Sequence, residues 1–111
     1  MANNYRIPSS IEKEIRERDV VCVYCGTEMV SFKVGGMSAN SATIEHLDHK
    51  PPFKYRQGQT ADDFAISCRN CNCVLRRDKE LSVWLKEEDA KDGKIKLHTV
   101  ADVVKKYLQR N

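Results

Sequence analysis

Two pairs of cysteines carry the clearest chemical signal in this 111-residue chain. Cys22-Val23-Tyr24-Cys25 and Cys68-Arg69-Asn70-Cys71 both have the C-x-x-C spacing that turns two thiolates onto one tetrahedral ion. About forty residues separate the pairs, longer than the usual zinc-ribbon interval. Zinc suits four sulfurs because it has no redox chemistry and accepts tetrahedral geometry. Four protein ligands leave no open position, so an ion held this way is structural. It would tie the N-terminal part to the segment around Ile66. The bland alternative is four unrelated buried or redox-active cysteines, and it needs two matched spacings by coincidence. Cys73 is left over. Free cysteine is often a small core residue, and that is the expectation here, with a ligand exchange with Cys71 as the lesser option.

A second group of residues lies between and just after the knuckles. Glu45-His46-Leu47-Asp48-His49 sits between them, and Asn72 follows the second one directly. Hydrolysis of a phosphodiester needs a base to activate water, a cation to offset charge on the phosphate, and a frame to hold both in line. A histidine can be the base near neutral pH. A carboxylate and an amide oxygen are hard ligands that suit Mg²⁺ or Mn²⁺. The zinc would hold Asn72 close to the histidine segment. Each residue also has a plainer reading. His46 alone could be a surface strand histidine, Glu45 a solvated one, and Asn72 a cap for the helix after it.

The elements that must position these groups can be read in outline. Ser9-Ser10-Ile11-Glu12 has capping-box spacing, with Ser9 as N-cap, and predicts a helix through Arg18. Glu12 with Arg16 and Glu14 with Arg18 are favourable pairs on its wet side. Val20 to Gly26 should turn tightly around the first knuckle. Val30 to Val34 alternates like a half-buried strand, and Thr43 to Leu47 reads as a second one. Lys50 to Asp62 reads as loop, with Pro51-Pro52 and Gly58 in it. Phe64-Ala65-Ile66 leads into the second knuckle. Leu75, Leu81, Trp84 and Leu85 can share a buried helical face, with a break near Asp78. Thr99 can cap a last helix whose stripe is Val100, Val103, Val104, Tyr107 and Leu108. The class is α+β, in one domain over 1–111 with a loose N-terminus at 1–8.

Net charge is +3, with 41% hydrophobic and 32% charged residues. That balance is globular, the core of so short a chain is thin, and a metal staple would help it. The mild positive excess permits a polyanionic partner without demonstrating one. No run near Met1 resembles a signal peptide and none could span a bilayer, so a cytoplasmic, intracellular location and no membrane partner are expected. A reducing compartment and an odd cysteine count both favour metal ligation over disulfides.

The order of these pieces resembles the HNH (ββα-metal) endonucleases, and their small bacterial and phage members most closely. The segments are Ala42-Thr43-Ile44-Glu45-His46-Leu47, then Asp63 to Cys68, then Cys71-Asn72, then Arg76-Arg77 and Leu81-Ser82-Val83-Trp84-Leu85. Thr99 to Lys106 also looks like the tail of that group, so the resemblance covers nearly the whole chain from Arg18 onward. It implies a ββα-metal domain with flanking helices, cutting DNA to leave a 5′-phosphate. His46 takes the position of the general base. Glu45 and Asn72 take the positions of ligands to a catalytic Mg²⁺ or Mn²⁺. Asp63 stands where many members have the central Asn that supports the catalytic loop, a departure that a carboxylate accepting the same backbone hydrogen bonds can absorb. Arg76 and Arg77 would contact phosphates, joined by Arg69, Lys50, Lys54 and Arg56 around the site.

Two points stay open in the sequence. Asp48-His49, with Pro52 after it, offers a second acidic-His registration, or else a supporting shell around the site. His46 is preferred because Thr43-Ile44 gives it a strand. Strict alternation sends Glu45 and His46 to opposite faces, so a bulge or twist would be needed to bring both to one site. His98 has no assigned chemistry. The rivals to a nuclease are a zinc-stabilised module that grips nucleic acid without cutting it and a zinc-stabilised protein–protein adaptor docking through the last helix. Two-strand cutting by one small site would favour a homodimer.

Overall fold

The computed structural model describes residues 6–30, 38–48, 54–77, 79–91 and 95–110. The first element, α1, spans Ser9–Arg18. Its N-cap is Pro8, with no side-chain cap, so Ser9 is the first helical residue and not the cap. Proline's fixed φ and missing N–H suit a helix start. Ile15 is fully buried, and Ile7, inside the stretch read as loose, is buried with it. The Glu12–Arg16 pair forms at 2.8 Å. Arg18 turns away from Glu14 and pairs with Asp19 at 2.7 Å, while donating to the carbonyls of Ala61 and Phe64.

A two-stranded antiparallel hairpin follows, β1 at Ala42–His46 and β2 at Phe64–Cys68. The register runs without interruption from Ala42↔Cys68 to His46↔Phe64. Asp19 accepts from the N–H of Ile66 at 2.9 Å, so the end of α1 is stitched to β2. Val30 makes one parallel bridge to Ser41; the rest of the strand expected at Val30 to Val34 lies outside the described residues. A single 3-10 turn at Ala61–Asp63 enters β2, closed by a capping box between Thr60 and Asp63.

After β2 the chain winds into α2, Asn70–Arg76, a π-wound helix. Its closing bond, Arg77 N–H to the Asn72 carbonyl at 3.1 Å, is the wide i→i+5 kind. Cys71 and Arg76 are five residues apart and both buried, and this wider turn keeps both on the inner side. Then come α3, Leu81–Ala90, and α4, Asp102–Leu108. Leu81, Trp84 and Leu85 are buried on α3 as the periodicity predicts, and Val103 and Val104 on α4. Thr99 does not cap α4. Its hydroxyl closes a turn on Lys96 instead, and Ala101 takes the N-cap position.

The hairpin separates two apolar clusters. Ile44, Phe64 and Ile66 pack with Ile7 and Ile15 on one side. Tyr24, Leu47, Ala65, Trp84, Leu85 and Val104 pack on the other, together with Cys22, Cys68 and Cys71. Among the described residues no helix is long and apolar enough to cross a membrane. The whole is α+β, with a two-stranded sheet and helices around a cysteine cluster that could hold a metal ion.

Candidate metal centre and the two faces of the hairpin

The two knuckles meet. The sulfurs of Cys22, Cys25, Cys68 and Cys71 all lie within 4.8 Å of one another, and no disulfide joins them. Cys25 and Cys68 are 3.7 Å apart, sulfur to sulfur. Zinc–sulfur bonds of about 2.3 Å at tetrahedral angles place sulfurs about 3.8 Å apart, so the cluster has the dimensions of a four-thiolate site. The first knuckle is shaped by the Gly26 N–H bonding to the Cys22 carbonyl at 3.0 Å, with Gly26 at φ +75°. Backbone rules leave that conformation chiefly to glycine.

The thiols alone are electrically frustrated. A hydrogen bond from the Cys71 thiol, outweighing burial, lowers Cys22 to about 5, and backbone N–H groups of Cys68, Cys25 and Tyr24 add to it. Burial pushes Cys68 up to about 11. Cys71 is driven well above the ordinary thiol range, first by its bond to Cys22 and then by burial and the neighbouring sulfur charges. Four sulfurs cannot all ionise here without a counter-charge. A divalent cation would supply it in part, and the donor set suits zinc. Cys73 is not part of this group and is exposed, a correction to its expected place in the core.

The Glu45–His46 strand is arranged differently from the expectation. The unbroken register contains no bulge, so adjacent residues stay on opposite faces. Glu45 faces α2, where its carboxylate forms an ion pair with Arg76; the two side chains are 1% and 0% exposed. Burial pushes the Glu45 carboxyl up against the pull of Arg76. Burial alone would lower the Arg76 guanidinium, yet the charge of Glu45 holds it above its ordinary range. The hydroxyls of Tyr24 and Ser67 face the same carboxylate without well-formed hydrogen bonds. His46 lies on the other face, buried, with its ring edge-on to Phe64 at 5.1 Å.

Asn72 reaches the hairpin through its side-chain amide, which donates to the Thr43 hydroxyl at 3.0 Å. Thr43 is two residues from Glu45 and shares its face. Asn72 and Glu45 therefore share one side of β1, while His46 occupies the other. A hard cation does not fit Glu45 as it is held, because the carboxylate is already neutralised and closed to solvent. Arg76, expected at phosphates, is wholly buried, whereas Arg77 is exposed. Asp63 accepts from the Thr60 N–H at 2.8 Å, closing the turn before β2, and pairs with Arg110 at 2.6 Å. Asp48 pairs with Arg56, and both line a cleft with Asp63, Tyr107 and Arg110. His49 lies outside the described residues.

Short-range patterns gave no sign of the partners that Tyr24, Thr43 and Arg110 take. Arg76 stood out in the sequence only as part of a basic pair. The one signal for its burial was its spacing of four from Asn72, which puts both on one side of a helical turn. No protein-family model, curated protein or solved structure matches this chain.

Proposed function

We propose that the chain is a zinc-stapled nuclease of the HNH kind, hydrolysing phosphodiesters of double-stranded DNA with His46 as the base that activates water. The observation that carries this reading is the pairing of β1, which ends in Glu45-His46, with β2, which runs directly into the second knuckle and α2. The second knuckle brings the Asn72 amide to β1, 3.0 Å from Thr43, on the Glu45 face and opposite His46. Hairpin, knuckle and following helix come in the order that the resemblance implies, and Asp63 braces the entry to β2. The reading demands more of β1 than its present arrangement offers. Glu45 is closed by Arg76 and His46 is packed on Phe64, so neither meets a phosphate as placed.

The test is nicking of supercoiled plasmid in Mg²⁺ or Mn²⁺, wild type beside His46→Ala, with zinc measured on both. The expected outcome is cleavage by the wild type, none by the variant, and equal zinc. Nicking by His46→Ala at the wild-type rate rejects the assignment. A second reading is favoured by the self-neutralised Glu45–Arg76 pair: a zinc-stapled module that binds nucleic acid and does no chemistry. It expects salt-dependent binding that survives removal of divalent hard cations, with no strand cut under any condition.

A further inference from the structure

Neither the sulfur cluster nor the proposed base has an obvious use for Arg76, yet it is among the bulkiest side chains buried completely. All three of its nitrogens are engaged. One terminal nitrogen holds the Glu45 carboxylate. The other donates to the Leu47 carbonyl at 3.1 Å, and Nε donates to the Lys79 carbonyl at 3.1 Å. Glu45 and Leu47 are the two neighbours of His46. Alternation puts both on the α2 side and sends His46 to the opposite side.

We propose that Arg76 is a positioning residue that grips the chain on either side of His46, at Glu45 in β1 and at the Leu47 carbonyl just after it, and thereby fixes the direction in which the imidazole points. A planar guanidinium bonded at two points resists rotation of the strand about its own axis, which one bond would permit. The third bond anchors the fork in the turn before α3, so the grip is braced by the body of the domain. His46 stands opposite Phe64 in the strand register, its ring edge-on at an interplanar angle of 82°, and the grip would keep it in that attitude. The consequence for cleavage rests on the nuclease reading; the consequence for the ring does not.

Two variants of the full chain, loaded with zinc, test it. Arg76→Lys keeps a charge for Glu45, but an ammonium is a point donor that cannot replace the fork. Glu45→Met/Arg76→Met leaves no unpaired charge in the interior and still lacks the donor to Leu47. The readouts are zinc content, ring-to-ring nuclear Overhauser contacts between His46 and Phe64, and plasmid nicking resolved into kcat and KM. The expected result is full zinc in both variants, weakened His46–Phe64 contacts, and a kcat roughly ten- to a hundredfold lower with KM unchanged. Intact ring contacts in both variants overturn the proposal. So does a lost contact with unchanged kcat in a cleaving protein, and so does unfolding of both variants, which would make Arg76 a stability residue only. If the wild type cuts nothing, the nuclease reading fails, and the ring contacts alone decide the grip.

Discussion

The domain buries charge in two places, and the two are completed in different ways. The cysteine cluster gathers four sulfurs within 4.8 Å and could take a cation from outside to offset the charge of its thiolates. The Glu45–Arg76 pair, with side chains 1% and 0% exposed, brings its own counter-charge from α2. Both join α2 to the hairpin, since Cys68 and Glu45 lie on the strands and Cys71 and Arg76 on the helix. The difference teaches how each can fail. A cysteine cluster without a cation would be left with crowded sulfurs in the core, whereas removing one member of the ion pair leaves a single unpaired charge. Replacing both members of the pair with apolar groups leaves neither.

The largest effect should come from the sulfur side. Cys71→Ser, or a strong chelator, is expected to abolish cooperative folding, because metal binding at such a site is folding energy of about 10 kcal/mol or more. Loss of the near-ultraviolet circular dichroism of Trp84, which packs edge-on against Tyr24 at 4.9 Å, would report it. A chelated, zinc-free protein with an unchanged melting transition would break the comparison. Next comes Arg76→Ala, expected to cost about 3–5 kcal/mol in urea unfolding by stranding Glu45. Glu45→Met/Arg76→Met should recover most of that loss, and failure to recover would mean the pair is not self-contained.

Tyr24→Phe sharpens the same point at smaller scale. The Tyr24 hydroxyl is buried beside Glu45 without a well-formed hydrogen bond, so its removal should change stability by less than about 1 kcal/mol. A larger loss would show that the pair depends on a third member. The smallest effect concerns Glu80, an exposed carboxylate that caps α3 by accepting from the Val83 N–H at 3.1 Å. The Ser82 hydroxyl and that backbone N–H hold its carboxyl below the usual range, opposite to Glu45. A lowered folded pKa gives stability that is present above the unfolded carboxylate range and lost as pH falls through the folded value. Glu80→Gln should flatten that acid-side slope slightly in melting curves taken from about pH 5 downward. An unaltered slope would remove the contrast between the two glutamates.

How much of this was legible beforehand divides along the same line. The knuckles were readable because C-x-x-C is a local geometry; four thiolates in two tight turns need only a chain long enough to bring them together. The apolar stripes of α3 and α4 were readable for the same reason, since periodicity is set by neighbours three and four apart. The capping assignments at Ser9 and Thr99 missed because several residues could end each helix, and Pro8 and Ala101 took those places. Cys73 missed because burial depends on which side of α2 faces inward, and its π winding is not a sequence signal.

The sequence alone determined the sulfur donor set, the alternation that parts Glu45 from His46, and the faces of the last two helices. Only the tertiary structure decided that Arg76 closes over Glu45, that Asn72 meets Thr43, and that His46 lies against Phe64. The physical reason is range. Backbone spacing fixes what lies within a turn or a strand repeat, but a buried charge chooses its partner across 31 residues of chain, by whichever packing leaves it least exposed.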